Sequence, residues 1–228
     1  MEVVVASWRT TGRAEATLET LTSHRSIHSE NAQLVELTYD CISALVSLLE
    51  PTPRRGWYSK VVDILLCDLA LEVSLDKRIV LLRHISKLVD VMGQEILVHS
   101  RRLLKAAELS LLAPRAPPYK GEIHSQEHES FLLQLNILKK YVDLVADRLL
   151  PDIVPMILPL IVAFVDLEWS RKGVYLNSSM EDMAHVITEI FGKLAAADDI
   201  AVRDTLCACF ELFPSVKPIL CRATTCLC

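Results

Sequence analysis

The chain has 228 residues, 51% hydrophobic and only 6% aromatic, with 6 glycines and a formal charge of −5. That is enough apolar material for a large core and too few turn glycines and too little β-branched alternation for a sandwich or barrel, so an all-α fold is expected. The acidic balance excludes a basic field that could hold a phosphate backbone by counterion release, which sets direct nucleic-acid binding aside.

Residues 1–28 mix Thr, Ser and Arg around Gly12 and are expected to be a poorly ordered N-terminal segment, relieved by a short helix from Arg13 to Thr22. Met1 to Trp8 carry an acidic second residue and too short an apolar stretch for a secretory signal, which points to an intracellular protein. From Ser29 the helical period sharpens. Leu34, Val35, Leu37, Tyr39, Ile42, Leu45, Val46, Leu48 and Leu49 form an apolar face that Pro51-Thr52-Pro53 stops. After Gly56, Trp57, Val61, Val62, Ile64, Leu65, Leu69 and Leu71 follow the same spacing. Cys41 and Cys67 fall on these faces, as reduced buried thiols would.

Ser74 is placed to cap a helix carrying Ile79, Val80, Leu82, Ile85, Leu88, Val89 and Met92, and Gly93 to end it. The next helix is expected from Gln94 through Leu111. Three prolines and Gly121 then predict a surface loop over 113–124. Ser125 is placed to cap a long helix with Phe131, Leu135, Leu138, Tyr141, Val142 and Val145 on its core side.

The run Leu149 to Asp166 is nearly all apolar yet holds Pro151, Pro155 and Pro159 four residues apart. It is short of the ~20 unbroken apolar residues of a membrane span. A buried, proline-bent core helix, covered by neighbours on most sides and paired with Glu127 to Arg148, is the expectation, so no membrane span is assigned. After a polar loop, Met180 to Leu194 and a helix from Ile200 to Phe213, capped by Asp198-Asp199, complete the series. The Cys-containing segment 214–228 lacks apolar periodicity and resembles no polar terminal cap, so it is expected to be a tail at a truncated or alternative end. Helices joined by short turns over 29–213, in pairs of about 40 residues, predict an α-solenoid of antiparallel pairs of the HEAT or armadillo-like kind.

Chemistry-bearing patterns are sparse. Cys207-Ala208-Cys209 and Cys221…Cys226-Leu227-Cys228 lack the spacing of zinc knuckles. His124 and His128 stand one turn apart without the His-Glu-x-x-His order of a zinc hydrolase, so a small metal-dependent enzyme is only a remote alternative. No phosphate-binding glycine loop or nucleophile elbow occurs, and no catalytic, cofactor or metal residue is assigned. The basic positions Arg101, Arg102, Lys105, Lys139 and Lys140 are the candidate partner-binding residues, with Asp143, Asp147 and Asp152 as their acidic counterpart.

Asp76 to Val89 followed by Leu97 to Leu104, and Glu127 to Glu168 entered through Leu149-Leu150-Pro151, resemble segments of the second Tel-two-interacting protein family, the small subunit of the Triple T co-chaperone complex. The likeness covers residues 76–112 and 127–194. It implies a non-enzymatic subunit without cofactor, located in cytoplasm and nucleus. Its implied partners are the other Triple T subunits and Hsp90 adaptors, with which it would assist maturation of phosphatidylinositol-3-kinase-related kinases. A HEAT or armadillo adaptor of trafficking or nuclear transport is the alternative.

Overall fold

The computed structural model of the chain describes residues 13–23, 29–72, 74–112, 121–172, 179–218 and 220. All regular structure among them is helical, and no strand occurs there. The helices are α1 (Ala14–Leu21), α2 (Ala32–Ser47), α3 (Pro51–Leu71), α4 (Leu75–Met92), α5 (Ser100–Leu112), α6 (Gly121–Leu144), α7 (Leu150–Lys172) and α8 (Ser179–Leu212). A 3-10 turn, Gly93–His99, leads into α5, and a shorter one, Asp147–Leu149, leads into α7.

Local chemistry explains most boundaries. Asn31 Oδ1 accepts from the amides of Gln33 and Leu34, at 2.9 and 3.3 Å, and so starts α2. Pro51 both ends α2 and opens α3, because its missing N–H costs nothing in a first turn. Gly56 therefore lies inside α3 and does not precede it. The Arg54 guanidinium donates twice to the Leu49 carbonyl, satisfying a group at the end of α2. Gly93 takes φ 54°, which only glycine adopts cheaply, and stops α4. α5 consequently begins at Ser100, after the 3-10 turn, and not at Gln94. Ser74 holds the cap position of α4, but its side chain makes no capping bond. At Asp198 the backbone leaves the helix (φ −157°, ψ 91°) and its carboxylate accepts from the Ala201 amide at 2.9 Å, so α8 is two helical halves joined at a cap.

Packing follows two rows. α2, α4, α6 and α8 contact one another in succession, and so do α3, α5 and α7, while the contacts of α3 with α2 and α4, and of α7 with α6 and α8, bridge the rows. The interior between rows is mostly apolar. Leu65, Leu82, Ile85, Leu135, Leu138, Ile157, Ile161 and Phe191 are all buried, each contributing roughly 1.5–3 kcal/mol of transfer free energy. Phe131 of α6 meets Phe164 of α7 edge to face, with centroids 5.4 Å apart.

Several expectations change. Residues 14–21 form α1, the short helix expected from Arg13 to Thr22 within the N-terminal segment, and its buried Leu18 docks on the core beside α2. α6 begins at Gly121, so only 113–120 of the proline-rich segment lie outside the described residues. Within the tail, Val216 and Leu220 are buried, and 221–228 lie outside the described residues. Cys41 and Cys67 are exposed, because each sits on the flank of its helix's buried stripe. Leu37 and Leu71, counted as core, are 62% and 82% exposed.

The proline-rich helix is longer than its apolar run. The segment Asp147–Asp166 is long and apolar enough for a membrane span by length and composition, yet half of it is buried inside the protein. α7 runs unbroken through Pro155 and Pro159. Its main neighbour is α8, with a thinner contact to α6, which corrects the expected pairing with Glu127 to Arg148. Coverage is also incomplete: Pro155 and Met156 are exposed and Pro159, Leu160 and Ala163 half-buried, so one apolar stripe faces outward.

Candidate functional site: the cleft between the fifth and seventh helices

That stripe forms one wall of a cleft of about 670 Å³. Met156, Pro159, Leu160, Ala163 and Asp166 follow the i, i+3, i+4, i+7 spacing of a single helix face. Arg101, Leu104, Lys105 and Glu108 of α5 repeat that spacing on the opposite wall, and Phe213 joins from the segment after α8. α5 and α7 touch less extensively than α3 and α5, which leaves the trough open.

Proline chemistry shapes the α7 wall. Pro155 and Pro159 have no amide hydrogen, so the carbonyls four residues earlier, those of Pro151 and Pro155, lose their helical donors. These acceptors lie along the same stripe as the prolines themselves.

Charge is arranged around this apolar floor. Lys105 Nζ pairs with Glu108 Oε2 on its own helix at 2.8 Å. Asp166 Oδ1 accepts from the Ser215 hydroxyl at 2.8 Å. Arg101 makes no ion pair among the described residues and is exposed.

The five basic positions singled out in the sequence therefore separate. Arg101 and Lys105 border the cleft. Arg102 turns away and pairs with Asp63 of α3. Lys140 binds Asp90 at 2.6 Å and the Ser86 hydroxyl at 2.9 Å, both on α4. Lys139 pairs with Glu189 of α8 at 2.8 Å, and that hydrogen bond holds the Glu189 carboxyl below its ordinary range and the Lys139 ammonium above its own. Of the acidic counterpart, Asp143 faces Lys193 of α8, while Asp147 and Asp152 are exposed.

These pairs belong to a ladder along the first row. Asp40 of α2 meets Lys87 of α4, Asp90 of α4 meets Lys140 of α6, and Asp143 of α6 meets Lys193 of α8, with partners 47, 50 and 50 residues apart. Each middle helix carries one rung in each direction, through Lys87-Leu88-Val89-Asp90 and Lys140-Tyr141-Val142-Asp143. That repeated Lys-x-Val-Asp was the signal available in the sequence, and the registers exceed the expected pair length of about 40.

A second polar cluster joins α3 to α5. Ser59 Oγ lies 3.0 Å from His99 Nε2, and Asp63 Oδ1 2.9 Å from His99 Nδ1. The carboxylate fixes the proton on Nδ1, leaving Nε2 to accept from the serine hydroxyl. The order hydroxyl, imidazole, carboxylate is that of a nucleophilic triad. Its setting differs: Ser59 sits inside α3, where backbone amides are engaged in the helix and cannot hold an oxyanion. Asp63 is also shared with Arg102. The cluster is suited to clamping helices together.

Among the described residues no group of three or more His, Cys, Asp or Glu is placed to hold a metal ion. Cys207 is exposed and Cys209 buried, with burial raising the Cys209 thiol pKa, so the two do not converge. The His124 side chain and Cys221, Cys226 and Cys228 lie outside the described residues. No family model matches the chain, and neither a curated protein nor a solved structure is significantly similar to it.

Proposed function

We propose that this protein is a non-enzymatic helical-repeat scaffold, an α-solenoid of the HEAT or armadillo-like kind, that works by holding a partner protein. The observation that carries this reading is the apolar cleft on a helix row whose neighbouring row is fastened by a repeating ladder. Each helix packs mainly on its immediate and next-but-one neighbours, the contact pattern of a quasi-one-dimensional stack. Such a stack keeps its surface rigid while leaving grooves between members of a row.

Within that class, the resemblance of residues 76–112 and 127–194 to the small Triple T subunit makes a co-chaperone of phosphatidylinositol-3-kinase-related kinases the first assignment to test. The protein would act in cytoplasm and nucleus alongside the other Triple T subunits and Hsp90 adaptors. Affinity purification of the tagged full chain from cells should recover those large kinases and Hsp90 adaptors. Recovery of Ran or nuclear-pore proteins instead would replace this assignment by a transport adaptor, and recovery of no partner would remove the scaffold reading.

A further inference from the structure

We propose that the cleft between α5 and α7 is the docking site for one amphipathic helix of a partner, seated by aliphatic anchors and carrying a carboxylate that meets Arg101. The proposal rests on the scaffold reading and names the chemistry of what is held.

Shape points to a helix. Both walls are stripes along single helices, and the α7 stripe from Met156 to Asp166 spans roughly 15 Å at helical rise. A trough of that kind accepts the i, i+3/i+4, i+7 anchors of a third helix laid along it.

The floor points to aliphatic anchors. Leu104, Leu160, Ala163 and Phe213 line it, and Met156 stands 45% exposed on the outward stripe of α7. Methionine's unbranched, polarisable side chain adapts to varied apolar partners.

Charge fixes the remaining feature. At the rim Asp166 is satisfied by Ser215, and Lys105 is held only by an exposed pair that is cheap to exchange. Among the described residues Arg101 is the rim charge without an ion pair, positive on a chain whose net charge is −5. A guanidinium beside an apolar trough selects a planar carboxylate on the flank of its occupant.

The test uses the full chain with methyl-labelled methionine and two synthetic stapled helices. Both carry leucines at i, i+4 and i+7; one has glutamate on the flank and its twin has lysine. The glutamate peptide should shift the Met156 methyl signal and bind about threefold or more tightly than its twin. Arg101→Glu, at an exposed position, should reverse that order.

Absence of a Met156 shift, or the same preference in Arg101→Glu as in the wild type, would overturn the proposal. So would a Met156 signal that moves with protein concentration alone together with dimer in sedimentation, which would give the cleft to a second copy. Met156→Asp, checked for native helicity by circular dichroism, separates the two readings: partner recovery unchanged by it overturns the cleft and leaves the scaffold, whereas no recovery by the wild type removes the scaffold itself.

Discussion

His84 shows how a single buried side chain ties stability to pH. It is 3% exposed on α4, with the Tyr39 ring at 5.4 Å, Asp40 Oδ1 at 4.0 Å from its Nε2, and Lys87 and Glu36 also acting on it. Burial, reinforced by Lys87, lowers its pKa below the ordinary 6.5 against the opposing pull of Asp40 and Glu36. The folded protein therefore prefers the neutral ring, while the unfolded chain takes up a proton near 6.5. Stability from this residue is complete above that pH and is lost as pH falls toward the depressed folded value. Urea midpoints at pH 7.5 and 5.5 should show the wild type losing about 1 kcal/mol more than His84→Gln over that interval. An equal loss in both proteins would refute it. Tyr39 is held in the same contact: burial and then Asp68, which accepts from its hydroxyl at 3.1 Å, keep the phenol protonated far above its usual range.

Among the elements, α7 departs furthest from its expected role. It was expected to be covered on most sides; instead its outward stripe, Met156, Pro159, Leu160 and Ala163, is one wall of the cleft. The cost is local and measurable. An interior proline disfavours a helix by about 3 kcal/mol relative to alanine, offset by less than about 1 kcal/mol from the stiffer unfolded chain. Pro159→Ala should therefore raise the unfolding free energy by about 2 kcal/mol in urea titration, by returning a donor to the Pro155 carbonyl. No gain would mean that this carbonyl already has a partner of equal value. The ladder in the other row works differently. Its rungs are exposed pairs worth at most about 1 kcal/mol each, so they set register more than stability, holding α4, α6 and α8 at one offset.

At the scale of the molecule, the proposed stack would make stability uneven along the chain. α1 has eight residues and packs chiefly on α2, whereas α6 and α7 lie between neighbours on both sides. Native-state hydrogen exchange should release the amides of α1 well before those of α6 and α7; equal protection throughout would contradict a stack of semi-independent members. The helices, their breaks at Pro51, Gly93 and Asp198, and the buried faces built on Val35, Ile42, Ile85, Leu138 and Val142 were legible in the sequence. Helical periodicity, proline's missing donor and glycine's left-handed backbone act within a few residues of one another. The same local rule misplaced Leu37, Leu71, Cys41 and Cys67, because a helix's apolar arc can be wider than the surface its neighbours cover. Arg101 and Lys105 were legible as a basic cluster, but nothing local separated them from Arg102, Lys139 and Lys140. That separation rests on partners remote in the chain, Asp63 for Arg102, Glu189 for Lys139 and Asp90 for Lys140, and on how closely α7 approaches α5. Sequence by itself thus determined an all-helical chain and its inward faces, while tertiary structure alone decided which charges are neutralised and where two rows leave an apolar cleft open, since those depend on packing between segments remote in the chain.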